Sequence, residues 1–362
     1  MMRNAFLKLL HGELPDEIVW TADLSYWMEG RRADGSARPE WFTEQGFLEL
    51  HREYGVFPYY YYDKFCAFEV RYDGPVTVEQ QVNGNTTVQR ITCPAGELVS
   101  EQAYLPDSCC CGTTKHFIEN ERDLDIFLDL LQYRRLLPAN VDDYPRRLMA
   151  WETWDGIPGL ALPRSPLAAL TAEWAGVEHT VYLLLDCEEK MRAAMALLEA
   201  QEAPILDAVC ALAPPIVHFI DNLSSENLAG LYDEFMADRH RARLRRLHAA
   251  GVAGVVHLDG TVKGLLPKLA EVGFDAVEAL TPQPAGDLEL AEIRALVEDT
   301  KTILWGGLPG VMFAPPYTWD DMRRHLERLL ETWHGHPFVI GVADQVPPDG
   351  DISFCKRISE MI

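Results

Sequence analysis

Beyond about residue 116 the chain alternates short, β-branched apolar runs with longer amphipathic segments, and few folds accept that pattern. The runs are TVYLLL (180–185), PIVHFID (215–221), GVVHLD (254–259), FDAVEAL (274–280), TKTILWGG (300–307) and FVIGVAD (338–344). Helical periodicity follows them over 188–212, 226–250, 261–271, 287–298 and 319–334. Strands apolar on both faces, each followed by a helix, are the mark of parallel βα units buried on both sides. No Rossmann or P-loop glycine pattern stands at any strand end, which disfavours a nucleotide-binding sheet. The expectation is an α/β fold, a (β/α)8 TIM barrel, for which a chain of 362 residues has ample length.

The N-terminal third departs from that rhythm. A helix is expected over 3–10, a strand in EIVWTADL ending near Asp23, a helix through FTEQGFLELHREYG, and a second strand in FPYYYY (57–62). From residue 66 to 105 the apolar period becomes two, in FEVRY, VTVEQQV, TTVQRITC and GELVSEQAYL, with DGP, NGN and PAG between them. Alternation bounded by such turns predicts β-hairpins, here an antiparallel insertion near the N-terminal third. No Pro-, Gly- or Ser-rich linker divides the chain, so the expectation is a single domain over 1–362 with 66–105 as its hairpin insertion.

Charge narrows the partners. Acidic residues outnumber basic ones 56 to 32, a net charge of −24. A surface of that sign repels phosphate backbones and anionic lipids, which argues against nucleic acid and membrane partners. No apolar run approaches the roughly 18 residues of a membrane span, and the N-terminus lacks a signal-peptide cleavage pattern. Eight cysteines without C-x-x-C spacing, three of them consecutive at Cys109, Cys110 and Cys111, read as reduced thiols. A cytoplasmic enzyme acting on a small-molecule substrate, monomer or homodimer, is the expectation. Asp186 reads as a helix cap, Arg243, Arg245 and Arg246 as a solvated basic face, His334 and His336 as surface residues, and the SCCCG run as a loop.

In a parallel barrel the active site lies at the C-terminal ends of the strands. The polar residues there are Asp221 and Asn222, His257 and Asp259, Glu278, Trp305, and Asp344 with Gln345. His257 and Asp259 are two apart, so on a strand they face one side. With Glu278 and Asp344 from other strands they make one imidazole and several carboxylates, a ligand set for Zn²⁺ with an open position, or for Mn²⁺ or Fe²⁺. The other reading of the same spacing is that Asp259 caps a helix beginning near Thr261 and His257 is a satisfied barrel residue. Trp305, Phe313 and Tyr317 are candidate walls of the mouth, and ordinary packing explains aromatics there equally well.

Taken in order, segments 3–24, 165–189, 218–260 and 338–352 resemble the uroporphyrinogen decarboxylase superfamily, which includes corrinoid-dependent methyltransferases. The resemblance implies a (β/α)8 barrel. Its thiol methyltransferase branch holds zinc through His-x-Cys, a distant Cys on the last strand and a nearby Glu. Carried over by position, these are His257, Asp259, Asp344 and Glu278, so both thiolates are replaced by carboxylates, a harder site. The decarboxylase branch uses an R-x-x-x-R segment, whereas Arg31, Arg32 and Arg38 here do not match it, and its His near the last strand is Asp344. The resemblance therefore implies methyl transfer between a corrinoid protein and a small acceptor. Glu278, Asp221 and Asp344 would act catalytically, while Asn222, Trp305, Phe313, Tyr317 and Gln345 would hold substrate. A metal-independent decarboxylase and a non-enzymatic small-ligand-binding barrel are the alternatives.

Overall fold

A computed structural model describes residues 1–362, with the side chain of Ala229 excepted. The strands in chain order are β1 Trp20–Thr21, β2 Phe68–Tyr72, β3 Thr77–Asn83, β4 Thr86–Cys93, β5 Gly96–Leu105, β6 Cys110–Lys115, β7 Arg134–Pro138, β8 Ala161–Leu162, β9 Ile216–Leu223, β10 Ala253–Leu258, β11 Ala276–Leu280, β12 Ile303–Pro309 and β13 Phe338–Ala343. The fold is α/β. The chain divides into two compact units, one of Met1–Cys66, Asn140–Ala161 and Cys210–Ile362, the other of Ala67–Ala139 and Leu162–Val209.

The first unit is the barrel. Seven strands lie in the order β1-β13-β12-β11-β10-β9-β8, with parallel pairing wherever the register is defined. The remaining stave is the tyrosine run expected as a strand. Segment 57–59 forms no regular ladder, yet Phe57 donates its N–H to the Trp20 carbonyl at 2.8 Å, and Gly159 donates to the Tyr59 carbonyl at 2.9 Å. On the other side of 157–161, His218 donates its amide to the Leu160 carbonyl at 2.8 Å. Backbone hydrogen bonds thus run from β1 through 57–59 and 157–161 to β9, joining the two ends of the sheet.

Helices follow the strands because their apolar faces need the sheet. Trp319–Trp333 shows the logic: Thr318 and Asp321 form a reciprocal capping box, and Met322, Leu326, Leu329 and Trp333 recur on one buried side. Boundaries differ from expectation where turns intervene. The helix expected over 226–250 is two, Ser225–Phe235 and Ala237–Ala249, and that expected over 261–271 is Leu266–Val272. TVYLLL is not a strand but lies within the helix Gly176–Asp186, so Asp186 ends a helix rather than starting one. A six-residue apolar run does not distinguish a strand from a half-buried helix.

The barrel interior is filled by Ile216, Val255, Ala276, Ile303, Val339 and Trp305 together with Phe6, Phe57 and Tyr59. Trp305 is 1% exposed and donates its indole N–H to the Thr21 hydroxyl at 2.7 Å, so it belongs to this core and does not wall the mouth. Gly306 behind it has φ 143°, and a Cβ there would stand 2.6 Å from the Leu280 amide nitrogen. Only glycine lets β12 lie that close to β11.

The second unit carries the antiparallel insertion. Strands β3-β4-β5-β6 form one meander, and β2 pairs with β7 instead of with β3. The helix Glu121–Tyr133 stops at its last tyrosine, and the chain returns at once as the strand Arg134–Pro138. The SCCCG run is not wholly a loop either, since Cys110 and Cys111 begin β6. No cysteine among the described residues is in a disulfide. No helix among the described residues is long and apolar enough to cross a membrane.

Candidate functional site

The site is built where β9, β10 and β11 lie side by side. His257 on β10 and Glu278 on β11 are register partners, and His218 on β9 pairs with Val255, two residues before His257. Parallel strands in this register bring three side chains from three apolar runs into one cluster. Glu278 is its centre and is 2% exposed. Its Oε2 faces His257 Nδ1 at 2.6 Å and His218 Nε2 at 3.2 Å. Its Oε1 accepts the Tyr60 hydroxyl at 2.7 Å. His257 Nε2 lies 3.7 Å from an oxygen of Asp344, whose side chain is 58% exposed.

Burial and charge set the proton positions. Burial alone would depress His257, but Glu278, Asp344 and Asp259 outweigh it and hold the imidazole up to about 9. Burial would raise Glu278, yet His257 and His218 draw it far below the ordinary carboxylate range. Burial lowers His218, against the pull of Glu278. The resting state is therefore a His257 imidazolium on a Glu278 carboxylate beside a neutral His218. Asp344 is raised to about 6, first by desolvation, with Asp23, Glu278 and Asp259 adding to it and His257 opposing.

A second acid forms the neighbouring rim. Asp23, just past β1, is buried and accepts from the Ser25 amide and hydroxyl at 2.9 and 2.6 Å, from Gln345 Nε2 at 2.9 Å, and from the Tyr62 hydroxyl. Burial raises Asp23, against these hydrogen bonds.

His218, His257 and Glu278 each offer a ligand atom, all within 4.8 Å of one another. Two imidazoles and a carboxylate are a donor set of catalytic zinc sites, which keep a fourth position open. His218 Nδ1 is buried without a hydrogen-bond partner among the described residues, so nothing else fixes that ring's tautomer. The residues fit a divalent ion of the zinc type, provided His257 gives up its proton.

The expected residues divide accordingly. His257, Glu278 and Asp344 come together, and Gln345 stands on the rim through Asp23. Asp259 lies beyond the end of β10, exposed and outside the three-ligand group, and it caps no helix, because the next one begins at Leu266. Asp221 does not reach the mouth. It is buried against His240 Nε2 at 2.7 Å, and His240 Nδ1 meets the Tyr232 hydroxyl at 3.1 Å. Phe219 and Asp221 share one strand face, toward helix Ala237–Ala249, whereas His218 takes the other. Asn222 is half-buried with φ 51°, the left-handed backbone that asparagine tolerates, where the β9–β10 register shifts.

Phe313 is 1% exposed and packs on Phe354, and Tyr317 lines a cleft with Asp321, Arg324 and His325, away from the cluster residues. Arg243 is buried with its guanidinium over Phe219, and His336 is buried on the Thr302 carbonyl, so neither is the surface group expected. The residues missed are His218, Tyr60, Tyr62 and Asp23. For His218 a signal existed, since IVHFID and VVHLDG place a histidine alike in successive strands.

An Asp221→Asn variant separates structure from chemistry. It should lose about 1–3 kcal/mol of stability in urea unfolding, as a buried charged hydrogen bond does, while zinc binding by the cluster stays within about twofold. A large loss of zinc affinity in a stable variant would return Asp221 to the site.

No protein-family model and no curated protein matches the chain. Among solved structures, a methyltransferase from Methanosarcina mazei shares the fold at a TM-score of 0.59 and 11% identity, covering 99% of this chain and 98% of that one. Looser likenesses are a B12-independent methionine synthase from Shewanella (TM-score 0.44, 11% identity, 72% and 74% covered) and a D-psicose 3-epimerase from Clostridium cellulolyticum (0.34, 9%, 62% and 82%).

Proposed function

We propose that this chain is a methyl-transfer enzyme that holds a divalent ion, zinc before manganese or iron, between His218, His257 and Glu278. The carrying observation is that two imidazoles and a buried carboxylate from three neighbouring strands converge within 4.8 Å at the active end of a parallel barrel. The full-length likeness to a methyltransferase of the same fold supports the choice of reaction. When bound, the ion supplies Lewis acidity that lowers the acceptor's pKa and fixes its place.

The chain's own residues do the rest. Tyr60 pins Glu278 by its hydroxyl, so the carboxylate keeps one orientation. His218 and His257 would hold the ion from two neighbouring strands, with Glu278 from a third. Asp344, open to solvent and 3.7 Å from His257 Nε2, is placed to take the acceptor's proton. Gln345 and Tyr62, both held on Asp23, present the polar rim against which a small acceptor is oriented. The methyl donor is a corrinoid protein docking over the mouth, whose cobalt chemistry is its own.

The test uses the purified protein with methylcobalamin standing in for the carrier and mercaptoethanol as acceptor. Demethylation that requires added zinc, stops with chelator and returns on zinc replacement is the expected result. Failure to bind any divalent ion stoichiometrically after reconstitution would sink the reading. A decarboxylase-like reading draws on the 3.7 Å approach of His257 to Asp344, a ready proton donor pair. Chelator-insensitive release of carbon dioxide from a tetrapyrrole carboxylate would favour it.

A further inference from the structure

We propose that a cleft within the second unit binds a small organic anion, an oxyanion head group carried on an apolar body. Every residue lining it belongs to that unit, and none belongs to the histidine–glutamate cluster. The cleft measures about 540 Å³, within the range of small-molecule sites.

Its floor is one face of the antiparallel meander. Gln89 and Ser100 are cross-strand partners on β4 and β5, and Gln102 and Thr113 are partners on β5 and β6. A sheet face covered by protein is ordinarily apolar, so a row of amides and hydroxyls suits a polar guest better than a packed core.

The wall supplies the charge. Arg134 at the start of β7 is 6% exposed, and Gln201, itself held on the Leu131 carbonyl, accepts one guanidinium N–H at 2.7 Å. Its Nε has no partner among the described residues, and neither has the indole nitrogen of Trp174, which is 5% exposed. Both nitrogens are closed off from solvent and stand behind the cleft surface, and Tyr72, another lining residue, also bonds to the Arg134 side chain, so the arginine is held firmly in the wall as a fixed positive charge. Arg164 adds a second cation, engaged at 3.4 Å by Glu173. In a chain with 56 acids to 32 bases, a cleft with two arginines and one carboxylate stands out as a place for an anion.

Backbone and apolar surface complete it. Leu170–Trp174 is a turn of π-helix, closed by the Ala175 amide on the Leu170 carbonyl at 2.7 Å, and such turns concentrate at functional sites. Gly176 follows at φ 72°, where a Cβ would lie 2.4 Å from His116 Nε2, so glycine makes room for a ring that lines the cleft. Phe117 and Trp174, 5.3 Å apart, with Val70 and Ile91, offer the face for an apolar body.

The probe is para-fluorobenzoate, followed by fluorine NMR on the full chain, with para-fluorobenzamide as its neutral isostere and para-fluorophenyl phosphate as the alternative head group. Saturable binding of at least one anion is expected, with the amide at least about tenfold weaker. Arg134→Gln should weaken the anion about tenfold or more and Arg164→Gln about threefold, the loss of charge-assisted hydrogen bonds. The exposed neighbour Arg135→Gln should leave binding within about twofold. If Arg134→Gln does not fold, Arg164→Gln and Trp174→Phe decide alone. Equal binding of anion and amide overturns the proposal, as does unchanged affinity in folded Arg134→Gln and Arg164→Gln proteins, or no saturable binding of either anion.

Discussion

Glu278→Gln should be the most damaging conservative change in the barrel, lowering stability by about 3–5 kcal/mol at neutral pH, the usual loss when one partner of a buried ion pair is removed. The side chain is 2% exposed and serves His257, His218 and Tyr60 at once. Glutamine fills the same volume but cannot neutralise the imidazolium, and its amide sets a donor against a donor. His257 then falls from about 9 toward or below its ordinary 6.5. Urea unfolding reads the stability, and NMR titration of the imidazole reads the proton. A variant as stable as the parent, with His257 still titrating near 9, would show that Glu278 is not its counter-ion.

The pH dependence of the parent follows from the same pair. The His257 contribution is fully present below 6.5 and is lost as pH rises through about 9, a range equivalent to about 3 kcal/mol. The depressed Glu278 works the other way, contributing above its ordinary 4.5 and losing that contribution as pH falls through its depressed folded value. It is the same ion pair seen from the other partner, so the two contributions are not added.

Metal binding should show the opposite slope. Zinc requires a neutral imidazole, so one proton leaves His257 for each ion bound. Apparent zinc affinity should rise about tenfold per pH unit from 6.5 toward 9 and then level. His257→Gln should flatten that slope and cut affinity by more than about a hundredfold, beyond the ten- to hundredfold effect of an outer-shell change. Competition with a chromophoric chelator across that range measures both. A parent with pH-independent affinity would mean that the ion does not displace the His257 proton.

The barrel strands and the His257–Glu278 pair were legible because each lies in its own apolar run, where a charged residue has few places to be except the functional end. Asp221 misled for a reason of parity. Three residues after His218 on one strand it faces the helix layer, a point that simple alternation supplies once His218 is taken as the inward residue. Asp259 and Asp344 occupy the positions of the resemblance's thiolates, but both stand past the strand ends, where exposure depends on loop course rather than on period. Tyr60 and Asp23 were out of reach because their meeting with the site is set by the irregular 57–62 segment. A tyrosine run gives hydrophobicity without a face. The pairing of β2 with β7 was hidden by its 62-residue separation, which turn signals between adjacent strands do not report.

The tyrosine segment that stitches the ring together also sends one hydroxyl to the acid at the centre of the site. Any opening of that seam would carry the Tyr60 ring with it and strip the central acid of one of its three partners.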